Sequence, residues 1–217
     1  MDRQLMVDKT AEYVKEKMAG DSSGHDWWHV HRVWKNAARI GGEEGADMFV
    51  VELAALLHDI DDYKFHGGDE TAGPAAAREF LESLGAEENV ISHVCEIIKG
   101  MSFKGANVSS EMRTIEGKVV QDADRLDALG AIGIARCFAT SSKLNLPIYE
   151  PSIKPRPHDS FEEYKNSRSP SINHFHEKLL LLKGLMNTKT ARRIAEERHK
   201  FMEQFLEEFH SEWEGKN

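Results

Sequence analysis

Leu53-Ala54-Ala55-Leu56-Leu57-His58-Asp59-Ile60-Asp61-Asp62 is an apolar run that ends abruptly in a His-Asp pair and two further carboxylates. The apolar part is typical of a buried helix. Burying an imidazole and a carboxylate at the end of such a helix is costly unless each group is paired or bound to a metal. We therefore predict that the last turn of this helix delivers His58 and Asp59 to a cation, whose remaining ligands come from elsewhere in the chain.

The composition limits the classes of partner. With 217 residues, of which 40% are hydrophobic and 30% charged, the chain can bury a core and should be soluble. Its formal charge of −9 argues against a nucleic-acid polymer or an anionic membrane as partner, because phosphate backbones are bound mainly by an excess of Lys and Arg. A small anionic substrate is compatible with this charge, since a metal and a few local cations can overcome the global field.

The sequence also predicts where the protein works. We find neither a signal peptide nor an apolar run of membrane-spanning length, so we expect a cytoplasmic protein without a membrane partner. Cys95 and Cys137 lie in apolar periodic stretches and are expected to be small, reduced core residues. The sequence leaves a homodimer open.

The periodic segments have the helical period and none alternates like a strand, which predicts an all-α fold. Ser23 with Asp26 fits a capping box, and Asp47 can cap the helix that contains the quoted stretch. A break is expected near Gly130 or Gly133. Helices are expected over about residues 3–19, 24–40, 48–62, 70–84, 87–99, 112–141, 172–185 and 189–213.

Residues 143–171 hold five of the six prolines and form either a linker or an ordered excursion over the surface. A linker should be followed by a segment that folds alone, but two helices rarely make an independent core. We therefore predict a single domain over residues 1–217, with a helical core at about 20–140. The two C-terminal helices, within about 172–213, are expected to pack back on that core.

The search for further ligands finds His29 upstream and Asp124 downstream. Together with His58 and Asp59 they supply two imidazoles and two carboxylates from three helices. Mixed nitrogen and oxygen ligation with positions left for water suits octahedral Mn²⁺, Fe²⁺, Co²⁺, Ni²⁺ or Mg²⁺. A structural zinc site would be closed and richer in sulfur.

Two of these ligands have rivals. His25 lies one turn before His29 and is the alternative first ligand. Asp122 and Asp124 are two positions apart on a helix and point to nearly opposite sides, so only one of them should serve.

Three sequence motifs, in the order His, His-Asp, Asp, resemble those of the HD superfamily of metal-dependent phosphohydrolases. The closest resemblance is to its bacterial branch of small stand-alone hydrolases. The motifs are His25-Asp26-Trp27-Trp28-His29-Val30-His31-Arg32-Val33-Trp34, Leu56-Leu57-His58-Asp59-Ile60-Asp61-Asp62 and Gln121-Asp122-Ala123-Asp124-Arg125-Leu126-Asp127-Ala128. The resemblance covers most of the chain. It implies a single HD domain and one divalent metal ion held by His29, His58, Asp59 and Asp124. The family pattern prefers Asp124 over Asp122, because the last ligand is followed by a basic or polar residue and Leu.

The resemblance also implies hydrolysis of a phosphoester or phosphoanhydride bond in a nucleotide or similar small phosphorylated metabolite. Asp62 lies one helical turn beyond His58. It is expected to orient or deprotonate water, and the metal ligand Asp59 is the second expected catalytic residue. Asp61 is the alternative to Asp62. HD enzymes with larger sites often place a histidine where His93 stands. The expected substrate-binding residues are therefore His93, Lys104, Arg125, Arg32 and Lys64, although Arg32 or Arg125 could instead hold a ligand carboxylate in place.

Two other classes of function are weighed against this one. A non-catalytic binding or signalling module could keep the fold, although the intact ligand set argues against it. A di-iron HD oxygenase would need additional histidines, and the spare ones form no second set at matching spacing. These spare histidines are His25, His66 and His93.

Overall fold

The structure is a computed structural model that describes residues 1–19, 26–60, 71–101, 112–156 and 168–216. All regular secondary structure in these ranges is helical, which confirms the predicted all-α class. A 3₁₀ helix, Leu179–Leu185, precedes the last α-helix. The α-helices are α1 (Arg3–Lys17), α2 (Trp27–Glu44), α3 (Met48–Leu57), α4 (Ala72–Ser83), α5 (Glu88–Gly100), α6 (Ile115–Asp127), α7 (Gly130–Lys143), α8 (Ser171–Glu177) and α9 (Lys189–Trp213).

The described residues divide into two compact units, one with the residues up to Asp124 and one with those from Arg125 onward. The single domain over residues 1–217 therefore stays a prediction. Helix α3, the apolar run, is the centre of the first unit, where it packs against α1, α2 and α5. Seven of its ten residues are buried, and a helix that is apolar on all sides needs neighbours on all sides.

The ends of α3 define where the ligand pair lies. Asp47 caps the N-terminus, as predicted, and its Oδ1 accepts a hydrogen bond of 3.0 Å from the Phe49 amide. The helix ends at Leu57, so His58 is the C-cap and the chain turns through Ile60. The prediction that helix continues through the His-Asp pair is therefore wrong for residues 58–60, and its remainder lies outside the described residues.

The predicted end of the second helix near Ile40 is also wrong. Helix α2 continues through Gly41 and Gly42 to Glu44. A Cβ atom at Gly41 would lie 2.9 Å from the Met48 sulfur. The glycine is thus explained by the close approach of the start of α3 and not by a helix stop.

The second unit has an aromatic core. Phe175 of α8 is fully buried, and its ring centroid lies 6.1 Å from that of Phe138 on α7 and 5.8 Å from that of Phe205 on α9. Helix α9 packs along α7. The predicted helix over 172–185 is wrong in detail, because the chain forms α8 and then the 3₁₀ helix.

The described flanks of the proline-rich segment are bonded to α8, as an ordered excursion would be. Asn173 donates from Nδ2 to the Ile153 carbonyl at 2.9 Å. The buried carboxylate of Glu177 accepts from the Arg156 amide at 3.1 Å and from the Ser169 hydroxyl at 2.7 Å. Residues 157–167, in the middle of this segment, lie outside the described residues.

The two cysteines differ in burial, and both are free thiols. Cys137 is buried, and this burial raises the pKa of its thiol to about 12, which keeps it protonated and unreactive at neutral pH. Cys95 is only half-buried and donates from Sγ to the Pro74 carbonyl at 3.3 Å. Among the helices described, none is both long enough and apolar enough to span a bilayer.

The break between α6 and α7 occurs at Gly130, one of the two glycines where it was predicted. Gly130 has φ +72°, and a Cβ atom there would lie 3.1 Å from Cγ and 3.2 Å from Cβ of Arg198. A left-handed backbone costs a residue with a Cβ roughly 1–2 kcal/mol. We expect Gly130→Ala to lower the free energy of unfolding by about that amount in urea titrations.

Gly42→Ala is the matched control for this substitution. Gly42 is in the interior of α2, and a Cβ atom there would meet nothing within 4 Å. Alanine should therefore raise the free energy of unfolding by about 0.5–1 kcal/mol. Equal effects of the two substitutions would contradict this account of Gly130.

Candidate metal centre

Four side chains from α2, the end of α3 and α6 meet in the first unit. The Nε2 atom of His29 lies 3.3 Å from Nε2 of His58, 3.3 Å from Oδ2 of Asp59 and 3.5 Å from Oδ1 of Asp124. His58 Nε2 lies 3.6 Å from the same Asp59 oxygen. The two imidazole rings meet edge to face, with centroids 5.2 Å apart. Ligand atoms of His58, Asp59 and Asp124 thus lie around Nε2 of His29.

Helix caps position the two imidazoles. The Asp26 side chain caps α2 by accepting from the His29 amide at 2.9 Å, so His29 lies in the first turn of its helix. The predicted N-cap of this helix, Ser23, lies outside the described residues. At the other end of the site, His58 Nδ1 lies 2.8 Å from the Ala55 carbonyl oxygen. A carbonyl only accepts, so this bond places a hydrogen on Nδ1 and leaves a lone pair on Nε2 of the neutral ring.

The residues fit a divalent cation. The lone pair of His58 Nε2 and two carboxylate oxygens lie around His29 Nε2, and one hydrogen on that atom could satisfy only one of these acceptors at a time. A cation satisfies all of them. Neighbouring ligands about 2.1 Å from an octahedral ion are about 3 Å apart, close to the observed separations of 3.3–3.6 Å.

His29, His58 and Asp59 form a group that could hold a metal ion: each offers a ligand atom, and these atoms lie within 4.8 Å of one another. In the part of the chain that is described, no other histidines, cysteines or acids form such a group. Asp124 adds an oxygen on the His29 side. A set of two nitrogens and two oxygens is one that Mn²⁺, Fe²⁺, Co²⁺, Ni²⁺ and Zn²⁺ accept.

The group has a closed side and an open side. The His29 side chain is 1% exposed, whereas that of Asp124 is 37% exposed. Asp59 lies between these extremes. The group is therefore accessible to solvent on the side of Asp124.

Two residues next to the ligands in the sequence have different surroundings. Asp122 is fully buried, and the choice of Asp124 over Asp122 as ligand stays a prediction. His31 contacts the rings of Trp27 and Trp28, with centroids 5.8 Å away in each case. Partial burial and the positive charges of Lys35 and Arg32 lower the pKa of His31, which favours the neutral ring.

Some of the remaining predicted residues have visible contacts. Arg125 donates from its guanidinium to the Leu185 carbonyl, and Arg32 is half-buried and interacts with a neighbouring group. His93 Nε2 lies 3.0 Å from the Thr114 hydroxyl. Substrate binding by these residues stays a prediction. The predicted residues that lie outside the described ranges are His25, Asp61, Asp62, Lys64, His66 and Lys104.

Sequence reasoning missed two contacts made by the helices that carry the ligands. The Ala55 carbonyl, which orients His58, could have been anticipated, because carbonyls in the last turn of a helix lack intrahelical partners. The contact between Glu116 and the amide of Asp47 could not, since it joins positions 69 apart and follows no local pattern.

An all-helical protein in which helix ends bring together two imidazoles and two carboxylates is a candidate metalloprotein. Comparisons with known proteins place it in a family. The model of the HD domain family matches residues 27–129. YpgQ of Bacillus subtilis is 40% identical, over 99% of this chain and 97% of its own length.

Solved structures agree with this match. A structure described as an HD-superfamily hydrolase from Bacillus thuringiensis has 46% sequence identity and a TM-score of 0.78, covering 98% of this chain and 99% of that one. The structure of Bacillus subtilis YpgQ in complex with ADP has 37% identity and a TM-score of 0.76, covering 97% and 100% of the two chains. The chain belongs to the HD superfamily. This membership supports a hydrolase with a divalent metal, as the resemblance implied.

Proposed function

We propose that the chain is a metal-dependent phosphohydrolase that cleaves a phosphoester or phosphoanhydride bond in a nucleotide or a similar small phosphorylated metabolite. The close approach of His58, Asp59 and Asp124 to Nε2 of His29 carries the proposal. Stability gives no reason to gather several acceptor atoms at distances of 3.3–3.6 Å, whereas a divalent cation does.

The substrate class is supported by a relative and by the charge of the chain. YpgQ of Bacillus subtilis has a solved structure with ADP, and a diphosphate is a ligand that a divalent ion binds well. The net charge of −9 disfavours long anionic polymers, which need many phosphate contacts. It is compatible with a small substrate held by the ion and a few local cations.

His29, His58, Asp59 and Asp124 would hold the ion. A bound divalent ion lowers the pKa of water and polarises a phosphoryl oxygen, which is the chemistry it supplies in this class of hydrolase. The hydrogen bond from His58 Nδ1 to Ala55 fixes the ring and directs its free nitrogen to the site. The exposed side at Asp124 leaves room for the phosphate to approach.

Proton transfer and phosphate binding complete the proposal. We assign Asp62 to orient the attacking water and accept its proton, a contribution of about 10²–10⁴-fold in enzymes that use such a group. Arg32, Arg125, Lys64 and Lys104 are the proposed contacts to the phosphate oxygens, and His93 is a proposed contact to another part of the substrate. Cations at these positions would neutralise charge on the transferred group and orient it for in-line attack.

The test is a screen of phosphorylated compounds with chelator-treated protein supplied separately with Mn²⁺, Mg²⁺, Co²⁺ and Ni²⁺. Phosphate and pyrophosphate release are measured independently, which identifies the bond that is cleaved. Asp59→Ala should lower turnover by at least about 10³-fold. Asp8→Ala, at an exposed acid of α1, is the matched control and should retain wild-type turnover.

Three outcomes would contradict the proposal. Activity that survives Asp59→Ala would assign the reaction to another site or to a contaminant. Nucleotide binding without turnover at saturating metal would favour a non-catalytic module. Two irons per chain after anaerobic purification, with consumption of O₂, would favour the oxygenase class.

A further inference from the structure

A polar junction lies where α3 and α6 begin, at the ends opposite to those that carry the ligands. Glu116 Oε1 accepts a hydrogen bond of 3.0 Å from the amide of Asp47. The other oxygen of Glu116 lies 3.8 Å from Nε2 of His93. The same His93 nitrogen lies 3.0 Å from the Thr114 hydroxyl, which accepts from the Gly117 amide and so caps α6.

This junction completes the N-terminal cap of α3. Asp47 is the N-cap, and its carboxylate accepts a hydrogen bond from the Phe49 amide. In a capping box, a Glu or Gln three positions after the N-cap returns a hydrogen bond to the N-cap amide. That position in α3 is Val50, which has no side-chain acceptor. Glu116, from the first turn of α6, supplies the missing bond instead.

Hydrogen bonds to neighbouring helices matter for α3 because its surface is almost entirely apolar. Burial of apolar surface is non-directional and sets the position of a helix along its axis only weakly. Two directional polar contacts join α3 to its neighbours. The Trp34 indole donates to Glu52 at 3.0 Å, which joins α3 to α2, and the Asp47 amide donates to Glu116, which joins α3 to α6.

Both helices run from the junction towards the metal centre. At a rise of 1.5 Å per residue, Asp47 and His58 are about 16 Å apart along α3, and Glu116 and Asp124 are about 12 Å apart along α6. A helix transmits an axial displacement over such a length. A shift at the junction therefore moves His58 and Asp59 relative to Asp124.

We propose that Glu116 is a positioning residue, which sets α3 and α6 in the register that brings His58 and Asp59 into the same coordination sphere as Asp124. The inference rests on the metal centre of the proposed function, but not on the reaction or its substrate. It is therefore tested by metal binding, which can succeed or fail independently of hydrolysis.

The experiment measures the dissociation constant of Mn²⁺, from the EPR signal of free Mn²⁺, for the wild type, Glu116→Ala and Glu116→Gln. Loss of a group that orients ligands typically weakens metal binding by 10–100-fold, and for this remote group we expect about 10-fold in Glu116→Ala. Glu116→Gln should stay within about 2-fold of the wild type, because its amide oxygen can still accept from the Asp47 amide. Glu96→Gln, on α5, is the matched control, since Glu96 is 59% exposed, and it should bind Mn²⁺ like the wild type.

Binding is measured at a temperature where circular dichroism shows each variant to be folded, so that lost stability is not mistaken for lost affinity. Wild-type affinity in folded Glu116→Ala would overturn the proposal. Equal losses in Glu116→Gln and Glu116→Ala would also overturn it, because charge and not the hydrogen bond would then matter.

Glu116→Asp replaces Glu116→Ala if that variant does not fold. Its side chain is one methylene shorter, so the carboxylate cannot keep its contact with Asp47, and we expect binding weakened by about 3–10-fold. Unchanged affinity in Glu116→Asp would overturn the proposal. Absence of Mn²⁺ binding in the wild type would overturn the metal centre and this inference with it.

Discussion

Asp59→Asn should abolish metal-dependent turnover, by at least about 10³-fold, without lowering the stability of the metal-free protein. Asn is isosteric with Asp but offers no negative charge to the ion. It also brings two N–H donors to a place where the neighbouring ligand atoms are mainly acceptors. The Asp59 oxygen lies 3.3 Å from His29 Nε2 and 3.6 Å from His58 Nε2, so an amide can donate to either ring.

The measurement combines initial rates with thermal unfolding in the presence of a chelator. Asp47→Asn provides the contrast, because Asp47 caps α3 and Asn is nearly as good an N-cap, so turnover should persist. A fall of several degrees in the unfolding temperature of metal-free Asp59→Asn would mean that Asp59 is a structural carboxylate. That result would contradict the assignment of Asp59 to the metal.

Mn²⁺ should stabilise the wild type strongly. A ligand that binds only the folded state at 100 times its dissociation constant contributes about 2.7 kcal/mol. For a chain of this size, that corresponds to a rise of roughly 5–10 °C in the unfolding temperature. The rise should be reversed by chelator.

The His58→Gln variant should lose most of this rise, because Gln cannot reproduce the imidazole lone pair that the Ala55 carbonyl directs to the site. His176→Gln, at an exposed histidine of α8, should keep it. An equal rise in both variants would place the stabilising ion elsewhere. Scanning calorimetry at several Mn²⁺ concentrations measures the effect and its dependence on binding.

The buried apolar run, the helical class and the cap at Asp47 could be predicted because each depends on local chemistry. A run such as Leu53 to Leu57 can be buried only within a fold, and an Asp before a helix satisfies its first amides. The grouping of His29 and Asp124 with the His-Asp pair was expected from residue chemistry together with the family resemblance. The structure brings these side chains together.

Features that depend on distant packing could not be predicted. The pair Gly41-Gly42 is a helix stop by local rules, yet the helix continues to Glu44 and is ended by Gly45, which has φ +71°. Trp28 is a large apolar residue of the kind that usually packs in a core, but its side chain is 60% exposed. The bond between Glu116 and Asp47 joins two helix starts that no local pattern connects.

The most direct test of the metal centre is anomalous diffraction from crystals soaked in Mn²⁺. A manganese peak is expected at about 2.0–2.3 Å from His29 Nε2, His58 Nε2, Asp59 Oδ2 and Asp124 Oδ1. A well-occupied peak that touches none of these atoms, or no peak at a Mn²⁺ concentration that saturates turnover, would contradict the account.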